Sequence, residues 1–123
     1  MAKSVADSVL DGALNVIKNA SGLTAILCSQ EPTTRNQAVS TYALADVALA
    51  AADVVIANGD TSGRKATIAA KSAVPVDATG TGTHLALVSA TELLYVTTTA
   101  SQGVSSGGTV DLGSWSITIA DPS

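Results

Sequence analysis

Few side chains in this sequence could do chemistry, and their spacing forms no catalytic or metal-binding set. One His and one Cys occur in 123 residues, too few for a multi-ligand His/Cys metal site or a disulfide framework. Residues 103–107 (GVSSG) match the G-x-S-x-G pattern of a nucleophile elbow, which requires a following helix and a later His. Here a strand-like segment follows and His84 comes earlier. Asp46 and Asp53 have no catalytic spacing, although they could meet in space, and the sequence predicts no enzyme.

Two glycine-containing segments match ligand-binding loops only in part. Residues 58–63 begin like a calcium loop, but the position of the closing bidentate acid holds Ala69. Residues 80–82 begin a dinucleotide fingerprint, but Leu85 stands where the third glycine belongs and no βαβ context follows. We interpret both segments as turns, and the turn at 79–82 separates two strands. The sequence predicts no cofactor and no bound metal.

The composition excludes several partners. The net charge is −4 and the isoelectric point is about 4.5, so the chain offers no basic surface for nucleic-acid phosphates. The longest apolar stretch, 43–57, is too short to span a bilayer and contains Asp46 and Asp53. Asp7 and Asp11 interrupt any secretory signal at the start. We therefore expect a soluble protein, made in a cytoplasm, with no nucleic-acid or membrane partner.

The first part of the chain has the periodicity of a short amphipathic helix. Residues 4–18 carry apolar side chains at spacings of three and four, and Ser21-Gly22 is typical of a helix end. The predicted apolar stripe consists of Val5, Val9, Ala13, Leu14 and Ile17. This stripe is thin, so the helix must pack on something to be stable. We expect residues 1–22 to form a helical segment and residues 23–123 to form a β-rich body.

The body has strand signals separated by turns. Residues 43–52 are ambiguous, because alanine favours helix, and we expect an irregular or short helical segment there. The predicted strands are 23–29, 53–57, 64–72, 84–90, 92–99, 109–112 and 114–120, with a Gly/Ser loop at 103–108. Turns every 8–15 residues indicate a mainly β fold, a small antiparallel sandwich or barrel with a short N-terminal helix. An α+β fold is the second interpretation.

The few aromatic side chains allow two interpretations. Tyr42, Tyr95 and Trp115 fit core or half-buried sheet positions, but Trp and Tyr also anchor protein interfaces. Cys28 lies in an apolar run and is interpreted as a buried small hydrophobe. The candidate interface anchors from the sequence are Val5, Val9, Ile17, Tyr42 and Trp115.

Several segments resemble small virion proteins of tailed bacteriophages, of the head decoration or cement type. These segments are 10–17 (LDGALNVI), 29–34 (SQEPTT), 59–65 (GDTSGRK), 83–88 (THLALV), 94–98 (LYVTT) and 115–119 (WSITI). They are turns and strand cores, so the resemblance carries over no catalytic or ligand-binding residue. The resemblance implies a component of the phage particle, located on the head close to the major capsid protein.

The expected function is therefore structural. The resemblance implies a capsid decoration protein, made in the host cytoplasm, that binds the outer surface of the phage head, stabilises it and self-associates, with the major capsid protein as partner. One alternative is a structural protein associated with the tail, connector or fibre. A second alternative is a host-surface binding module, suggested by Thr/Ser/Gly-rich loops at 58–63, 79–83 and 101–108.

Overall fold

Over the residues that the structure describes, the chain folds into one α-helix followed by three antiparallel sheets, which confirms the predicted mainly β fold with a short N-terminal helix. The computed structural model describes residues 6–59 and 63–119. Helix α1 is Asp7–Lys18, and short π-helical and 3-10 turns occupy Gln37–Thr41 and Ala51–Asp53. The strands are β1 (Thr24–Cys28), β2 (Ala43–Ala48), β3 (Val54–Asn58), β4 (Arg64–Ile68), β5 (Lys71–Pro75), β6 (Gly80–Val88), β7 (Leu93–Val104), β8 (Thr109–Leu112) and β9 (Trp115–Ile119).

The largest sheet has the strand order β2-β1-β6-β7. A three-stranded sheet, β3-β4-β9, and a two-stranded sheet, β5-β8, complete the described strands, and none of the three closes on itself. A bridge between Ala45 and Val76 connects the two-stranded sheet to β2. The backbone N–H of Asp77 also donates to the carbonyl oxygen of Leu44 over 2.7 Å. The β5-β8 sheet is therefore attached to the outer side of β2.

The core lies mainly on one face of the four-stranded sheet, because its strands turn every second side chain to that face. Around Leu87, one apolar cluster joins α1 to the three-stranded sheet; it includes Leu14, Ile17, Val54, Ala66, Ile68 and Ile117. Around Leu27, a second cluster joins the two-stranded sheet through Val74, Val76, Val110 and Leu112. On the opposite face, Ile26, Cys28, Ala86 and Val88 are covered by Ala38, with Tyr42 packed against them.

The predicted irregular or helical segment at 43–52 is wrong over its first half. Residues Ala43–Ala48 form strand β2, which pairs antiparallel with β1 from Thr24↔Ala48 to Cys28↔Ala43. The helix propensity of alanine amounts to only a few tenths of a kcal/mol per residue relative to most residues, so tertiary pairing overrides it. The strand predicted at 53–57 is confirmed as β3.

The strand predicted over 64–72 is in fact two strands. Strand β4 ends at Ile68, where the N–H of Ala69 donates to the carbonyl of Asp53 over 2.8 Å. Strand β5 then begins at Lys71 with an irregular register before Val74. Ala73 has a φ of 54° at this irregularity. A bulge of this kind bends the strand, so β5 leaves the direction of β4 and pairs in a different sheet.

Two of the predicted loops are partly strand. Gly80 and Gly82 lie within β6 rather than in a turn. A Cβ at Gly82 would lie 2.6 Å from two side-chain carbons of Leu27, so glycine is required by the close approach of β1 and not by turn geometry. Gly103 and Val104 belong to β7, and the Gly/Ser loop is confined to residues 105–108.

The helix is confirmed, but a different stripe faces the core. The buried residues of α1 are Leu10, Leu14 and Ile17. Val9 and Ala13, which the sequence placed in the apolar stripe, are exposed. The larger Leu and Ile side chains bury more apolar area than Val and Ala, so they decide which face packs on the sheets.

Candidate functional site

The predicted interface anchors do not form one cluster. Val5 lies outside the described residues. Val9 is 61% exposed, whereas Ile17 is buried in the core at 8%. Tyr42 packs on the opposite face of the large sheet, and Trp115 packs against the same cluster as Ile17. Of the anchors that the structure describes, Val9 is the most exposed.

Trp115 occupies a half-buried position in the sheet rather than a fully exposed one. Its ring stacks on that of Tyr95, with centroids 5.7 Å apart and an interplanar angle of 21°. Both residues pack against the apolar cluster that contains Ile17. This arrangement agrees with the core or half-buried interpretation of the two rings.

Polar side chains on α1 fix the rotation of the helix. Nζ of Lys18 donates to the carbonyl oxygens of Ala51 and Val54 over 2.8 and 2.6 Å. Nε of Arg64 donates to Oδ1 of Asp11 over 2.8 Å. These contacts tie the polar side of α1 to β3 and β4, and Leu10, Leu14 and Ile17 are buried, so one remaining side of the helix faces away from the sheets.

That outer surface carries an apolar strip, called here the helix stripe, which consists of Val9, Ala13 and Val16. All three residues are exposed, and the exposed fractions of Val9 and Val16 are 61% and 58%. Their spacing of four and three places them in line along α1. Exposed apolar side chains that lie together mark interaction surfaces more often than isolated ones do.

A small cavity lies beside the C-terminal end of the helix stripe. Its volume is about 260 Å³, and its lining consists of Val16, Ala20, Ser21, Ser89, Ala90, Thr91, Glu92 and Leu94. The β6–β7 turn that forms one wall is held by Oγ of Ser89, which accepts from the N–H groups of Thr91 and Glu92 over 3.2 and 3.0 Å. Arg35 supports the same turn, since its Nε donates to the carbonyl of Ser89 over 2.9 Å. The cavity wall is therefore fixed before any partner binds.

Strand β7 forms one edge of the four-stranded sheet. It has 12 residues, the longest of the described strands, and β6 is its only strand neighbour in the described part of the chain. No charged residue and no proline occurs between positions 93 and 104. The register passes from His84↔Thr98 to Gly82↔Gln102, so residues 99–101 of β7 oppose Thr83 alone in a wide bulge. The segment before the bulge is called here the β7 edge and comprises residues 93–98.

Asp46 and Asp53, the two carboxylates that the sequence left open as a pair, each have a different partner. Asp53 accepts from the N–H of Ala50 over 2.8 Å and forms an ion pair with Lys71 over 3.0 Å, and both contacts lower its pKa. Asp46 does not meet Asp53 but shares a hydrogen bond with Asp77, which raises the pKa of Asp46.

The single His and the single Cys also contact groups within the chain. Nδ1 of His84 lies 2.9 Å from Oγ1 of Thr83. Cys28 is fully buried, and burial raises the pKa of its thiol to about 11, which agrees with the interpretation as a small hydrophobe. Within residues 6–59 and 63–119, no three His, Cys, Asp or Glu side chains come together as a metal site.

Sequence reasoning missed Val16, Leu94 and Asp77. The sequence did carry a signal that Val16 is exposed. Leu10, Leu14 and Ile17 also have helical spacing and are larger than the valines, so they are the better candidates for the buried face. Leu94 lies at a register irregularity between Leu87↔Tyr95 and Val88↔Leu93, which no sequence pattern indicates. Asp77 approaches Asp46 only because β5 is bridged to β2.

In the described part of the chain, no helix is long and apolar enough to cross a membrane. Comparisons with protein families, curated proteins and solved structures found no match to this chain.

Proposed function

We propose that this chain is a structural virion protein of a tailed phage, a capsid decoration or cement protein that binds the outer surface of the head and stabilises it. The observation that carries the proposal is the helix stripe, an apolar strip displayed on a helix that Lys18 and Arg64 fix to the sheets. A surface that is rigid before binding loses little conformational entropy on association. The resemblance of six sequence segments to phage virion proteins supports the same role.

The distribution of charge supports a protein partner over nucleic acid. Six Lys and Arg residues stand against ten Asp and Glu residues. Lys18, Arg35, Arg64 and Lys71 each bond to groups within the chain. Cations that are held by internal partners do not form the phosphate-binding surface that nucleic-acid affinity requires. The partner that the resemblance implies, the major capsid protein, is compatible with this charge distribution.

A modest contact area suffices for this role. A shell presents many identical sites, and binding of linked copies adds avidity without any new contact. The helix stripe and the β7 edge together offer two uncharged surfaces on an acidic chain. One surface is available for the shell and the other for a neighbouring copy.

The test is performed on phage particles with and without this protein. We expect a copy number set by the icosahedral symmetry of the head, and we expect particles without the protein to break at lower temperature or under osmotic shock. Unchanged head stability would overturn the proposal. A copy number between a few and about a dozen would favour the alternative of a tail, connector or fibre-associated protein, since those structures have low symmetry.

A pair of matched variants tests the helix stripe itself. Val16→Ser should weaken binding of the purified protein to particles that lack it, because it removes an apolar contact. Val55→Ser is the control, since Val55 is 57% exposed, against 58% for Val16, and lies on β3. Equal binding of both variants would exclude the helix stripe as the contact with the shell.

The alternative of a host-surface binding module has less support. Of the three loops that suggested it, residues 80–83 lie in β6 and residues 101–104 lie in β7. Side chains in paired strands have less freedom to adapt to a ligand than side chains in loops, so the chain offers less binding loop than the sequence suggested. A screen of host glycans that gives binding by the purified protein would restore this alternative.

A further inference from the structure

We propose that two copies of this chain pair antiparallel through their β7 edges, so that two four-stranded sheets become one sheet of eight strands. The inference identifies the surface for the self-association that forms part of the proposed function, and it rests on that proposal for its setting in the particle. In the described part of the chain, β7 has one edge without a strand partner, this edge carries no charge, and it lies next to the helix stripe.

The β7 edge has the chemistry of a strand that accepts another strand. An edge strand presents backbone N–H and C=O groups that pair readily with a further chain. Residues 93–98 read Leu-Leu-Tyr-Val-Thr-Thr, which are residues of high β propensity apart from the two leucines. Natural edges are commonly protected by Lys, Pro or bulges. Neither Lys nor Pro occurs in β7, and its register irregularities lie at Leu94 and at residues 99–101, so that residues 95–98 form the regular part of the edge.

Charge favours a second copy as the occupant. The chain carries a net charge of −4, so two copies repel each other unless they meet where charges are absent. The β7 edge is such a place, and it offers no ion-pair partner for a basic or acidic peptide. An identical strand is complementary to it by symmetry, because antiparallel pairing about a two-fold axis matches the same residues on both chains.

The β7 edge continues into the helix stripe. Leu94 of β7 lines the cavity together with Val16 and Ala20 of the helical segment. Tyr95 packs on the same side of the sheet as Leu94, whereas the half-buried Leu93 and Val96 pack on the opposite face, against the cluster that contains Cys28. A second copy seated on β7 would therefore meet apolar side chains of the strand on both faces of the sheet, and their burial adds to the strand pairing.

The bulge limits the length of the new pairing, and the use of the same edge by both copies limits the assembly to a pair. Residues 99–101 oppose Thr83 alone, and a bulge of this kind interrupts the regular ladder. New pairing through β7 therefore ends at Thr98. Because one edge is used by both copies, the interface is closed and does not propagate into a fibre.

Analytical ultracentrifugation of the full chain over a range of concentrations tests the proposal. We expect a monomer–dimer equilibrium that Thr98→Lys weakens by about tenfold or more, since lysine on an edge opposes strand pairing. Thr118→Lys is the control, because Thr118 is also an exposed strand threonine, on β9. Both variants add one positive charge, so a general charge effect would be equal in the two.

Disulfide capture provides a second readout in case Thr98→Lys unfolds the chain. The single native thiol, Cys28, is buried, so an engineered cysteine reports alone. Of Val96→Cys and Thr97→Cys, the variant whose position lies at the two-fold axis should form a homodimeric disulfide, because only there do equal positions of the two chains come within bonding distance. Thr118→Cys should remain monomeric.

The outcomes separate this inference from the proposed function. A monomer at every concentration, or a dimer that neither Thr98→Lys weakens nor the β7 cysteines capture, overturns the inference. Binding of that monomer to phage heads would leave the proposed function intact. A β7-dependent dimer that does not bind heads would support the inference and contradict the proposed function.

Discussion

Arg64 on β4 donates two hydrogen bonds to Asp11 on α1, from Nε to Oδ1 over 2.8 Å and from Nη2 to Oδ2 over 3.4 Å. The two side chains are only 19% and 27% exposed. This two-point contact joins the helix to the three-stranded sheet and, with Lys18, sets which face of α1 remains outside. The exposure of the helix stripe depends on it.

Asp11→Asn should lower the free energy of unfolding by about 1–2 kcal/mol, since it removes a charge-assisted, partly buried pair. Urea unfolding should show a lower midpoint with an unchanged slope. Glu31→Gln removes the same charge from an exposed residue and should leave the midpoint unchanged. An Asp11→Asn midpoint equal to that of the wild type would show that the ion pair with Arg64 does not contribute to holding the helix.

Gly82→Ala should destabilise the protein by about 1–3 kcal/mol, the range for overpacking a core. The added Cβ would lie 2.6 Å from Cγ and Cδ1 of Leu27, which is fully buried. Gly103→Ala is the matched control, because Gly103 is also a strand glycine but has no atom within 4 Å of the added Cβ. Thermal unfolding of the two variants gives the comparison, and equal melting temperatures would contradict the close approach of β1 and β6.

The sequence predicted elements with one buried face and missed those fixed by pairing. On β6, Leu85 and Leu87 are buried as expected, although Ala86 and Val88 are buried as well, on the opposite face. On β9, Ile117 is buried and its neighbours on the chain are exposed, which the alternating pattern also predicts. By contrast, β2 is a strand because β1 and the bridge at Ala45 pair with it, and the alanine-rich sequence of this segment carries no such signal.

The surfaces proposed for binding were harder to predict than the strands. Periodicity places apolar residues on a helix but does not choose between two overlapping stripes. The predicted stripe combined Val9 and Ala13, which are exposed, with Leu14 and Ile17, which are buried. The structure resolves this choice through the contacts of Lys18 and Asp11, which join segments distant in sequence. The β7 edge depends on strand order, and sequence patterns do not determine which strand of a sheet lies at its edge.

The Cys28 thiol should resist thiol reagents in the native protein. Burial raises its pKa from 9.0 to about 11, which lowers the thiolate fraction near pH 8 by about a hundredfold. We expect almost no reaction with a disulfide-exchange reagent in buffer and stoichiometric reaction in denaturant. Thr118→Cys supplies an exposed thiol as a positive control in the same fold. Rapid labelling of the native wild type would contradict the burial of Cys28 beneath Ala38.

Asp46→Asn should stabilise the protein at neutral pH. The hydrogen bond with Asp77, burial, and repulsion between the two carboxylates raise the pKa of Asp46 above 3.8. A raised pKa in the folded state means that the stability contributed by the protonated form is complete below the unfolded pKa and is lost as the pH rises through the folded pKa. Asparagine imitates the protonated side chain, so the melting temperature should exceed that of the wild type at pH 7. At about pH 3, below the unfolded pKa, the two proteins should melt together. Glu31→Gln removes the same charge without a carboxylate neighbour of this kind, and it measures the general effect of a lower net charge. If Asp46→Asn gains no more than Glu31→Gln at pH 7, the Asp46–Asp77 contact does not oppose folding.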